Sequence, residues 1–151
     1  MTTRRYFLAA LGAVPVALGY GRAALAATAP IYAEDGIAID GTDPVAYFTE
    51  GRPVAGSSAH EVTWQGATWR FASAENRASF DADPAAYAPQ YGGWCAWAVA
   101  EGYTATTVPG AWKIVDGKLY LNYSRGVQRR WERDIPGNIA RADANWPAVL
   151  G

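Results

Sequence analysis

The chain has 151 residues, a formal charge of -1 and a hydrophobic half that includes seven Trp and nine Tyr. That is the size of one domain, with a core built in part from large amphipathic rings. Setting aside Arg4, Arg5 and Arg22, the rest of the chain has ten basic against fourteen acidic residues, a net charge of -4, which argues against electrostatically driven nucleic-acid binding.

The first 26 residues have the three-part layout of a bacterial export signal. Arg4-Arg5 opens it, an apolar run from Ala9 to Leu18 follows, and Ala24 and Ala26 form a small-x-small step. The arginine pair points to the twin-arginine route. Cleavage is expected after Ala26, with Ala29 as the alternative. The apolar run is short and interrupted by Gly12 and Pro15, so no membrane span is expected once the signal is removed. The expected compartment is the periplasm, where disulfides can form. With one cysteine the chain can form none internally.

Residues 27–35 form an extended lead-in, and 36–147 a single domain with a helical extension at its C-terminal end. Gly36 to Gly41 is a short apolar segment ending in a turn. Asp43 caps a helix beginning at Pro44 and stopping by Gly51. Arg52 to Ser58 reads as loop. Alternation over His60–Gln65 and Thr68–Phe71, with Gly66 between, predicts a β-hairpin. Ser73 caps a helix over 74–80, and Asp83-Pro84 starts another carrying Tyr87. After Gly92-Gly93 the run Trp94–Glu101 has no breaker and predicts a helix, with a buried strand as its rival. Asp116-Gly117 joins a second hairpin over about 111–121. An amphipathic helix is expected from Asn122 to Asp134, broken at Pro136, and a last one over 139–146. The fold class is α+β: a small antiparallel sheet from two hairpins (about 60–71 and 111–121) surrounded by several short helices.

Special chemistry concentrates between Pro89 and Tyr103, where the only cysteine, Cys95, follows a glycine pair among aromatic rings. In the first turn of a helix its thiol is favoured as thiolate, fit to ligate a soft metal or to exchange with a disulfide. The competing reading is a small buried side chain in an Ala-rich helix. His60 is the only histidine and the only imidazole available as ligand or base at neutral pH. Cys95 and His60 together are too few for a closed zinc site, and Met1, the only methionine, leaves with the signal. A metal held here must borrow carboxylate, tyrosine, backbone or water, or form between subunits. Tyr91, Trp94 and Trp97 are candidates to line a cofactor pocket around the thiol. Asp43, Asp83 and Asp116 read as caps and turn residues, and Arg129, Arg130 and Arg133 as a solvated face.

The segments Gly41-Thr42-Asp43-Pro44-Val45-Ala46-Tyr47-Phe48, Gly66 to Arg77, and Phe80 through Asp83-Pro84 to Tyr87 resemble the YHS domain family. Tyr91 to Ala96, Val115 to Tyr123 and Ala142 to Pro147 extend the likeness to a group of bacterial exported YHS domain-containing proteins, some with selenocysteine. For metal-binding YHS domains the resemblance implies cysteines after the Asp-Pro-Val step and after the strand ending in Phe. Here those positions hold Ala46, Ala72 and Asn76. In the exported group selenocysteine can replace cysteine at what looks like the position of Cys95, so the resemblance implies a chemical role there, redox or metal-ligating alike.

The expected function is a periplasmic domain binding a metal ion, copper first, or a small redox-active ligand through Cys95, alone or with His60. The alternatives are a thiol-dependent redox enzyme acting through a catalytic Cys95 and a redox partner protein, and a non-catalytic interaction domain. A monomer or small homo-oligomer is expected.

Overall fold

The computed structural model describes residues 26–151; the proposed export signal lies almost entirely outside them. The fold is α+β, with two sheets among several short helices. A four-stranded sheet has the order β1 (Ala33–Glu34), β2 (Ile37–Ala38), β4 (Ala67–Phe71), β3 (Ser57–Trp64). β3 and β4 form the first expected hairpin. The second, β5 (Trp112–Val115) with β6 (Lys118–Leu121), is a separate two-stranded sheet rather than part of the same one. The larger sheet is also mixed, because β2 pairs parallel to β4 through Ile37 and Thr68. Each hairpin turns on two residues with positive φ, Gln65-Gly66 and Asp116-Gly117, and Asp35-Gly36 does the same between β1 and β2. This is the turn whose twist matches that of the strands it joins.

The helices are α1 (Pro44–Thr49), α2 (Ala74–Ala82), α3 (Pro84–Tyr87), α4 (Ala96–Ala100), α5 (Arg125–Trp131) and α6 (Ile135–Asn145). None is long and apolar enough to cross a membrane. Asp43 and Ser73 cap α1 and α2 as expected, whereas Asp83 stands at the start of α3 without a side-chain capping bond. Three boundaries depart from the expectation. α4 is shorter, because Trp94 and Cys95 have extended backbone and Cys95 stands just outside the first turn. α5 begins after Ser124, whose hydroxyl accepts from Val127 N–H, so Asn122 and Tyr123 precede the helix. Pro136 lies in the first turn of α6, where its missing N–H costs nothing, and Asp134 caps Gly137 N–H. It starts that helix rather than breaking the one before.

The lead-in is part of the core. Ile31 and Tyr32 are buried against Trp69, Phe71 and Phe80 in one cluster, which α1, β4 and β6 complete. Tyr32 N–H donates to the Gly92 carbonyl and Trp94 Nε1 to the Ala29 carbonyl, both at 2.9 Å. Gly92 has φ +62°, and a Cβ there would overlap the Pro30 carbonyl oxygen, so the glycine step is a close crossing of two backbones. A second cluster joins Tyr91, Val99, Tyr120 and Trp131 with α6. Cys95 follows the glycine step, in the segment that leads into this second cluster.

Candidate functional site

Cys95 is 1 % exposed. Its N–H donates to the Ala105 carbonyl at 2.9 Å, and its carbonyl accepts Val99 N–H at 3.0 Å, so backbone bonds fix the thiol's position. The sulfur accepts Tyr123 N–H at 3.3 Å and donates to Asn122 Oδ1 at 3.6 Å. Asn122 Oδ1 also accepts Trp97 N–H at 3.1 Å, satisfying a donor in the first turn of α4. The Asn122 Nδ2 group is fully buried and has no partner among the described residues. Burial pushes the thiol pKa above its ordinary value, against the opposing pull of the Ala98, Tyr123 and Trp97 N–H groups. The thiolate expected at a helix start is thereby disfavoured, because desolvation outweighs the three N–H donors.

The sulfur borders a cavity of about 230 Å³ lined by Cys95, Trp97, Ala98, Tyr103, Ala105, Tyr123 and Val127. Its walls are mostly apolar, and Tyr103 and Tyr123 are 51 % and 55 % exposed. Arg130 lies over the Trp97 ring at 5.7 Å, within cation–π range.

Of the other candidate residues, only Trp97 lines this cavity. Tyr91 is buried on the far side of the glycine step, its hydroxyl donating to Asp143 at 2.9 Å and its ring against Tyr120 and Trp146. Trp94 packs on Tyr32, with ring centroids 5.3 Å apart. His60 is half-buried on the edge strand β3, where the pairing register shifts between Ser57 and Glu61, and it does not line the cavity. Among the described residues no group of three or more His, Cys, Asp or Glu side chains could hold a metal ion. The amphipathic pattern of the sequence puts Asn122 inside a helix, which hides its role at the thiol. The signal was its neighbour: Ser124, a better cap, should have moved the helix start past it.

The positions where a YHS cysteine cluster is implied do come together, around a carboxylate. Asp43 is fully buried. Its Oδ1 accepts Val45 N–H at 2.9 Å and Ala46 N–H at 3.3 Å. Its Oδ2 accepts Ala72 N–H at 2.9 Å and Asn76 Nδ2 at 2.8 Å. Backbone donors and one amide thus fill the place that three thiols would otherwise surround. These residues do not fit a thiolate-bound metal: no sulfur is present, and the one carboxylate is already saturated with donors.

The YHS domain family model matches residues 45–91, about a third of the chain. No curated protein and no solved structure matches. The chain carries a YHS domain-like fold in that region, and Cys95 lies just beyond its end.

Proposed function

We propose that this protein is an exported YHS-like domain that holds a small soft ligand at Cys95, within the aromatic cavity. The observation that carries this reading is a single, backbone-fixed sulfur bordering an apolar cavity of about 230 Å³. The volume lies below the usual range for drug-sized ligands of roughly 300–1,000 Å³, so it suits only a very small molecule or a metal ion with few ligands of its own. Copper remains the first metal, since sulfur suits its reduced ion, and the thiol gives up its proton on binding it. The absence of His60 from the cavity lining favours a ligand-bearing ion or a small redox-active molecule over a bare cation. The twin-arginine pattern at Arg4-Arg5 supports the periplasm as the compartment of this activity. In this setting Tyr123 N–H and Asn122 orient the sulfur, and the walls exclude water.

Native mass spectrometry of the exported protein, purified without chelator, tests the reading. The expected result is a metal or small-molecule adduct that disappears in Cys95→Ser while the variant stays folded. An adduct retained by Cys95→Ser, or no adduct on a thiol that also resists added cuprous ion, overturns it. A mixed disulfide on Cys95 in place of an exchangeable adduct establishes the thiol-redox alternative instead.

A further inference from the structure

Away from the thiol, the other face of α5 borders a polar groove of about 360 Å³ lined by Gly110, Trp112, Arg125, Gln128, Arg129 and Glu132. We propose that this groove binds the oxyanion group, carboxylate or phosphate, of a small anionic ligand. The proposal is independent of any role for Cys95. Four of the ten basic residues beyond the export signal fall between Arg125 and Arg133, in a chain that is otherwise acidic. The ion pairs among the described residues are Arg52–Glu50 and Arg70–Glu61, so neither Arg125 nor Arg129 has an internal counter-ion. These two stand one helical turn apart, a spacing at which like charges repel. An anion bridging them removes that repulsion, and a guanidinium presents paired donors that match carboxylate and phosphate oxygens.

The surroundings are already organised. Arg125 Nη2 and Nε lie 3.6 and 3.7 Å from where a Gly110 Cβ would stand, so the guanidinium rests beside a backbone without a side chain. Gln128 Nε2 donates to the Trp112 carbonyl and to Glu132 Oε1, both at 2.8 Å. Glu132, the one acid lining the groove, is thereby held by an amide rather than by an arginine. The Trp112 ring packs on Tyr47, whose hydroxyl donates to the Pro109 carbonyl at 2.8 Å, fixing the loop that ends at Gly110. A groove fixed in this way pays little ordering entropy on binding.

The test is an amide and arginine-Nε NMR titration of the mature protein with inorganic phosphate and, separately, with acetate, at constant ionic strength. Saturable shifts are expected at Gly110, the Trp112 indole and Arg125 Nε. Arg125→Gln and Arg129→Gln should each weaken the response about tenfold, as expected for loss of one charged contact. Glu132→Gln should strengthen it, and Arg52→Gln should leave it unchanged. Which anion saturates first tells a phosphate ligand from a carboxylate. Non-saturating shifts, shifts spread equally over all arginines, or full binding by the double variant Arg125→Gln/Arg129→Gln overturn the proposal.

Discussion

At the scale of single residues, two buried polar groups define what the molecule tolerates. Asp43 ties α1, the end of β4 and α2 together through four donors. Asp43→Ala strands those donors in the core, and urea denaturation should show a loss of about 3–5 kcal/mol, the range for breaking a buried charged network. Asp43→Asn keeps the shape but turns an NH₂ toward N–H groups, so it should also destabilise. Cys95 gives a pH signature. Its pKa is raised on folding, so the stability it contributes is fully present below the unfolded thiol value, about pH 8.5, and is lost as pH rises through the folded value. Unfolding free energy should therefore fall as pH rises through the window that opens at about pH 8.5 in the wild type, with a flatter slope in Cys95→Ser. Equal slopes would show that the thiol does not titrate as its burial requires. Above that window the buried hydroxyls of Tyr32, Tyr47 and Tyr91, all shifted upward by desolvation, add losses of the same sign.

At the scale of elements, the glycine step before Cys95 joins the lead-in to the thiol segment. Gly92→Ala must relieve an overlap with the Pro30 carbonyl while holding a left-handed backbone. Gly102 also has positive φ, at +90°, but nothing lies within 4 Å of its missing Cβ. Thermal unfolding of the pair separates strain from packing. Gly102→Ala should cost about 1–2 kcal/mol, the backbone term alone, and Gly92→Ala clearly more. The hairpins and the caps of α1 and α2 were legible in the sequence because local chemistry fixes them: Asp116-Gly117 in a tight turn, Asp43 and Ser73 ahead of their helices. The start of α5 was not, because the amphipathic pattern of Val127 and Trp131 runs backwards into Asn122 and Tyr123. There β6 backbone pairing ends and the Asn122 amide turns to Trp97 and Cys95.

At the scale of the whole molecule, the chain closes on itself through its first described residues. Thr28 N–H donates to the Leu150 carbonyl at 2.8 Å, and Ile31 and Tyr32 are each 3 % exposed. A chain beginning at Ala27 should fold fully, whereas one beginning at Ala33 loses two core side chains, about 3–6 kcal/mol by burial. Comparing their unfolding midpoints checks this; similar midpoints would mean that the lead-in contributes nothing to the core.

What the sequence determined by itself was local and compositional: the α+β class, both hairpins, and the caps of α1 and α2. Period, turn residues and capping chemistry act over a few positions and can be read there. The tertiary structure alone decided that burial raises the thiol pKa, that Trp97 lines its cavity while Tyr91, Trp94 and His60 do not, and that Asn122 holds the sulfur. It alone put Asp43 at the centre of Ala46, Ala72 and Asn76. Those outcomes depend on desolvation and on contacts between residues dozens of positions apart, such as Cys95 with Asn122 and Asp43 with Asn76. Such contacts leave no periodic trace in a single chain, because they are set by how the elements pack.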